Sequence, residues 1–187
     1  MTREQLEHIL GAASKIVGER DLLVIGSQSV LATWDESRLP REAIRSIEAD
    51  VATMDGDDLK SDLIDGALGE GSGFHETFGI YAQGVSLETA ILPRGWQDRL
   101  VALDTAATQP GRGLCLDPHD CVISKMIAGR QKDYDFATAL VGSGLLDPAV
   151  LVERIALLDR AERDKDRIRA WLVGVQSKSH QPRLTER

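Results

Sequence analysis

Gly26-Ser27 and the pair Glu48 and Asp50 have the types and spacing that suit phosphate chemistry. Gly26-Ser27 follows the apolar run Asp21-Leu22-Leu23-Val24-Ile25 and precedes a helical pattern from Gln28 to Thr33. The first N–H groups of a helix lack intrahelical partners and carry partial positive charge, so such a turn suits a phosphate, and glycine permits close backbone approach. A Gly-Ser after a strand is also an ordinary turn. Ile47-Glu48-Ala49-Asp50-Val51 alternates in type and reads as a strand. Residues two apart on a strand face the same side, so both carboxylates project together. In a concave, partly buried setting their repulsion is relieved by a proton or a cation. Mg²⁺ is a hard ion that takes carboxylates together with substrate phosphates. On an edge strand the same pair would be a wet face and nothing more.

The elements that must position these residues follow from periodicity. Leu6, Ile9, Leu10, Ala13, Ile16 and Val17 recur at helical spacing, with Thr2 and Gln5 arranged as a capping box. The runs 21–25 and 47–51 read as strands, and 34–45 as a loop or helix–turn insertion. Asp57 to Leu68 reads as a helix, followed by the glycine-rich Gly69-Glu70-Gly71-Ser72-Gly73. Two strands or a hairpin are expected over 80–85 and 88–92, and short strands at 100–103 and 113–116. From Pro118 the pattern turns helical, with Asp117 as N-cap and helices near 118–129, 132–142, 148–158 and 160–175. The expected fold is α/β (α+β): a mixed sheet flanked by helices over 1–116, a C-terminal helical bundle over 117–176, and a polar tail over 177–187.

Net charge is −8 and the isoelectric point about 5.0, which argues against broad non-specific nucleic-acid binding. Cys115 and Cys121 lack a disulfide framework or zinc-ligand spacing and read as reduced core residues. No apolar run approaches a membrane span, and the N-terminus begins a helix pattern with no signal peptide, so a cytoplasmic protein with no membrane partner is expected.

A strand, a Gly-Ser turn, a helix and a strand carrying acid–x–acid resemble the nucleotidyltransferase superfamily. Leu116 to Asp135, with Lys125, Arg130 and Lys132-Asp133, looks like the helical segment of AbiEii-type nucleotidyltransferase toxins. Gly69-Glu70-Gly71-Ser72, Phe74-His75-Glu76-Thr77 and Leu92-Pro93-Arg94-Gly95-Trp96 resemble a group of uncharacterised bacterial nucleotidyltransferase-like proteins over about residues 20–150. The resemblance implies that Gly26, Ser27 and nearby amides hold terminal phosphates, and that Glu48 and Asp50 bind Mg²⁺. It makes Glu88 the best candidate for a third acid on a later strand. It implies that Lys125 neutralises the triphosphate, assisted by Arg130 or Lys132, and that Asp133 or Asp135 orients these bases or contacts nucleotide. Lys125, Gly129 and Lys132 are spaced to share a helical face. Bland readings stand beside these: a strand-end Glu88, and a solvated face for Lys125 and Arg130.

Two features depart from the family pattern. Glu48 stands where the family usually has Asp, and twenty residues separate Ser27 from Glu48. His119, in the first turn of a helix, reads as structural or at the surface. His75 reads either so or as lining the pocket.

The implied activity is Mg²⁺-dependent transfer of a nucleotidyl group from a nucleoside triphosphate to an RNA end, such as tRNA, or to a protein side chain. The implied setting is a toxin with a cognate antitoxin. The alternative is a catalytically degenerate fold acting as a nucleotide- or partner-binding module. The apolar stripe Ile168, Trp171, Leu172 and Val175 suits packing on its own domain or docking another chain.

Overall fold

Thr2 opens the first helix, α1 (Arg3–Val17), with both hydrogen bonds of the capping box to Gln5, in a computed structural model that describes residues 1–179. The elements that follow are β1 (Asp21–Val24), a 3₁₀ helix (Ser27–Ala32), α2 (Arg41–Ile44), β2 (Glu48–Thr53), α3 (Asp58–Leu68), α4 (Gly73–Phe78) and β3 (Tyr81–Gly84). Short 3₁₀ turns at Leu87–Thr89 and Trp96–Arg99 lead to β4 (Val101–Leu103) and β5 (Arg112–Cys115). The chain then becomes helical: α5 (Pro118–Ala128), α6 (Gln131–Gly142), α7 (Pro148–Ala156) and α8 (Glu162–Ser179).

The five strands form one mixed sheet in the order β3-β2-β1-β5-β4. β1 is central, antiparallel to β2 and parallel to β5, and β3 lies parallel to β2. Leu22, Leu23 and Val24 are fully buried, as a central strand requires, each contributing about 2 kcal/mol of hydrophobic stabilisation. Helices α1 and α3 pack on each other, α1 also on β1 and β5, α3 also on β2 and β3. The apolar core is continuous from Met1 to Val175, so sheet and C-terminal helices share it. Ile168, Leu172 and Val175 of α8 are buried in that core.

The sheet and the four C-terminal helices match the expected α/β (α+β) architecture. Several local expectations need correction. The segment after Gly26 is a 3₁₀ helix of six residues, whose Gln28, Ser29, Val30 and Leu31 are all buried. Residues 73–78, to which periodicity assigns no element, form a helix capped by Ser72, whose hydroxyl accepts from the His75 amide. Residues 88–92 are not a strand: the chain tightens into the 3₁₀ turn at Leu87–Thr89, and β3 ends at Gly84. Gly84 ends there against α3, since a Cβ would lie 1.8 Å from the Ser61 carbonyl oxygen. The polar tail expected from 177 is helical as far as Ser179, and its remainder, 180–187, lies outside the described residues.

Candidate active site

β2 alternates as its sequence predicts. Ala49 and Val51 are buried in the core, while Glu48 and Asp50 are half-buried on the opposite face. Both carboxylates line a cavity of about 380 Å³ together with Ser27, Gln83, Lys125, Arg130, Lys132 and Asp133. The sequence-predicted acids, serine and bases therefore meet in one place, although they come from positions 27 to 133.

Gly26 makes that meeting possible. A Cβ on residue 26 would lie 1.6 Å from Asp50 Oδ2, so only glycine lets the carboxylate settle over the turn. The Ile25 amide donates to the Asp50 carbonyl at 3.2 Å, and Cys121 Sγ of α5 donates to the Gly26 carbonyl at 3.5 Å. Gln28, fully buried, donates to Ser27 Oγ at 3.2 Å and so orients the hydroxyl that reaches the cavity. Burial, and then the adjacent Glu48 carboxyl, push the Asp50 acid above the ordinary carboxylate range, while Lys125 and Lys132 pull it back. This is the repulsive carboxyl pair that a cation relieves.

Glu48 is held from outside the cavity by a residue that sequence reasoning missed. Tyr81 stands opposite Glu48 in the β2–β3 register and donates its hydroxyl to Glu48 Oε2 at 2.7 Å. The His75 ring lies 4.9 Å from the Tyr81 ring, and His75 Nδ1 accepts from the Gly71 amide at 3.0 Å. The Gly71 and His75 motifs thus brace the carboxylate from behind. His75 supports the site and does not line this cavity.

Asp50 pairs in register with Gln83, which lines the cavity from β3. The neighbouring strand therefore offers an amide beside Asp50 and no third acid. Glu88, expected as that acid on a strand, sits exposed on the 3₁₀ turn and lines neither this cavity nor the one beside it. The chain has left the sheet at Gly84, four residues earlier, so strand alternation no longer directs its side chain. The spacing Tyr81-x-Gln83 repeats that of Glu48-x-Asp50, and parallel pairing of the two strands was the signal that would have found both.

The basic wall comes from α5 and α6. Lys125, Gly129 and Lys132 do not share one helical face. Gly129 closes α5 in the left-handed conformation at φ 68°, and the chain reverses into α6. Asp133, 1% exposed, accepts Arg130 Nε at 2.7 Å and the Arg130 amide at 3.1 Å, with Lys125 Nζ at 3.7 Å. Burial raises its acid, but Arg130 and Lys125 outweigh that and hold it below the usual range. Lys125 Nζ also lies 5.3 Å from the Phe136 ring centroid, a cation–π contact. Asp133 thus pairs with both Lys125 and Arg130. Asp135 is exposed and accepts from Gln131 at 2.8 Å. Lys132 is exposed at the cavity rim.

The other singled-out residues lie outside the lining of this cavity. His119 Nδ1 meets Asp117 at 3.1 Å, and its Nε2 accepts the Asp147 amide at 3.1 Å, joining the starts of α5 and α7. Cys115 and Cys121 are fully buried free thiols, and burial pushes Cys115 up to about 12. A larger open groove of about 920 Å³, between α2, α6 and α8, shares Glu42 and Arg45 with the acidic cavity but contains neither Glu48 nor Asp50.

No group of three His, Cys, Asp or Glu side chains suited to a metal occurs among the described residues. An ion held at Glu48 and Asp50 would complete its shell from substrate oxygens, which fits the habit of Mg²⁺. No helix among the described residues is long and apolar enough to cross a membrane. No curated protein and no solved structure matches the chain. Residues 4–171 match the family described as "Nucleotidyltransferase of unknown function (DUF6036)", and the chain belongs to that family.

Proposed function

We propose that this protein transfers a nucleotidyl group from a nucleoside triphosphate to an acceptor hydroxyl with Mg²⁺ held at Glu48 and Asp50. The observation that carries the reading is the half-buried carboxyl pair facing Ser27 on one side and Lys125, Arg130 and Lys132 on the other, within one cavity. When bound, Mg²⁺ would supply Lewis-acid polarisation of phosphate oxygens and lower the pKa of the attacking hydroxyl. Ser27 Oγ and the first amides of its turn donate to terminal phosphates. Lys125, fixed by Asp133 and Phe136, neutralises charge on the departing pyrophosphate, with Arg130 and Lys132 at the mouth. Glu48, held by Tyr81, and Asp50, seated on Gly26, are pre-oriented before substrate arrives.

The Lys125, Arg130 and Lys132-Asp133 resemblance supports an AbiEii-like toxin setting, with tRNA or a protein as acceptor and a cognate antitoxin as partner. A second reading, a degenerate nucleotide-binding module, draws on Gln83 standing where an acid would complete the site, and on Glu48 in place of Asp. Calorimetry with Mg²⁺ and each triphosphate, followed by transfer of α-phosphate label, tests both. Binding and transfer that vanish together in Asp50→Asn support the enzyme. Binding in wild type without transfer to any RNA or protein supports the module, and no binding at all ends both readings.

A further inference from the structure

A second cavity, of about 270 Å³, meets the acidic one at Asp50. Both are lined by Asp50, Lys125 and Arg130, but the remaining walls differ in chemistry. The first presents Ser27, Glu48 and Gln83. The second presents Ile25, Val85, Ala90 and Ile91, with Thr89 and Ser124 as its uncharged hydroxyls. Resting on nucleotidyl transfer as the reaction, we infer that this second cavity is the acceptor subsite, and that it takes the hydroxyl-bearing side chain of a protein, not an RNA end.

Position and charge both favour a protein side chain here. In-line displacement needs donor and acceptor to converge on the same carboxylates from different directions. The second cavity reaches Asp50, whereas the large groove beside α8 does not. Its volume falls below the roughly 300–1,000 Å³ of pockets that enclose drug-sized ligands, so it suits a side chain more than a whole nucleotide. An RNA end brings phosphates on its flank, and these are held by Lys and Arg. The basic side chains on this wall are Lys125 and Arg130, which also line the first cavity and are there engaged by the triphosphate. The net charge of −8 also opposes a polyanion. Aliphatic walls with hydroxyls fit a Ser, Thr or Tyr side chain.

In the step itself the acceptor oxygen forms a bond to the α-phosphorus. The bond from that phosphorus to the oxygen bridging to the β-phosphate breaks. Pyrophosphate leaves with that electron pair, and the hydroxyl proton passes to water.

The test separates binding from transfer. Calorimetry with Mg²⁺ and non-hydrolysable triphosphates measures the donor site. Labelled triphosphates are then offered a Ser/Thr/Tyr peptide library in one arm and total tRNA in the other. Ala90→Phe fills the second cavity. Triphosphate affinity is expected to stay within about twofold of wild type while peptide labelling falls at least about tenfold. Thr89→Val removes one hydroxyl with little change of volume and is expected to cut peptide labelling less, again without changing triphosphate affinity. Retained triphosphate binding in both variants shows that they are folded. Label on tRNA, label in neither arm, or wild-type transfer rates in Ala90→Phe overturns the assignment while leaving the donor site standing. A wild-type protein that binds no triphosphate overturns the underlying reaction as well.

Discussion

A side chain on residue 26 and the carboxylate of Asp50 cannot coexist: a Cβ there would fall 1.6 Å from Asp50 Oδ2 and 2.6 Å from its Cγ. The backbone of Gly26 is extended, at φ −87° and ψ −166°, so the glycine serves contact and not an unusual dihedral. The Gly-Ser turn and the acid pair are therefore one structure, assembled across β1 and β2.

Gly26→Ala is expected to displace Asp50 and to cut triphosphate-dependent transfer about 10²-fold, with overpacking costing about 1–3 kcal/mol of stability. Gly66→Ala in α3, where an added Cβ meets nothing within 4 Å, serves as control. It should leave transfer unchanged and stabilise by about 0.5–1 kcal/mol. Denaturant titration and a label-transfer assay read both. Equal transfer by Gly26→Ala and wild type would contradict the steric argument.

Asp50→Asn should separate stability from function. Because burial and Glu48 raise the Asp50 acid, the folded chain keeps a proton that the unfolded chain has released. Stability from this group therefore falls as pH rises from the unfolded value of about 3.9 through the folded one. At neutral pH without divalent cation the Asn variant is expected to melt a few degrees above wild type. The gap should close as pH approaches the unfolded value. Mg²⁺ with triphosphate should raise the melting temperature of wild type only. A wild type that melts higher than the variant at neutral pH without cation would count against the strained pair.

Tyr81→Phe keeps the ring against His75 and removes the hydroxyl held by Glu48 Oε2. As a positioning residue it should shift metal dependence more than fold. The Mg²⁺ concentration for half-maximal transfer is expected to rise about tenfold, with little change in melting temperature. Placing Glu48→Asp in the same chain should add less than its own effect, since the shorter acid no longer reaches Tyr81. Full additivity would show that the tyrosine acts elsewhere.

Arg99→Met tests the wall behind α5. Asp120 is 0% exposed and accepts Arg99 Nε at 2.8 Å, with Arg154 Nε at 3.5 Å. Arg99 also donates to the Arg94 carbonyl at 3.1 Å, which explains structurally the Leu92-Pro93-Arg94-Gly95-Trp96 motif. Removing the arginine strands a buried carboxylate and is expected to cost about 3–5 kcal/mol by urea unfolding. A loss under about 1 kcal/mol would show that Arg154 suffices.

Elements with strong local signals were legible from the residues alone. Thr2 and Gln5, Asp117-Pro118 and Gly129 fixed helix ends through side-chain caps and the left-handed glycine. The alternation at 47–51 put Glu48 and Asp50 on one face, since strand period needs no neighbour to set it. Family resemblance then drew Ser27, Lys125 and Arg130 toward them.

What stood beside those residues came from long-range packing. The β2–β3 register brought Tyr81 to Glu48 and Gln83 to Asp50, and register depends on pairing between distant segments. Close packing of Gly84 on α3 ended β3 and turned Glu88 out to solvent. Asp133 became the anchor for Lys125 and Arg130, and Asp135 did not, because residues two apart on α6 face different sides and packing on α5 buries the former. Local propensity names the side chains, and non-local packing chooses their partners.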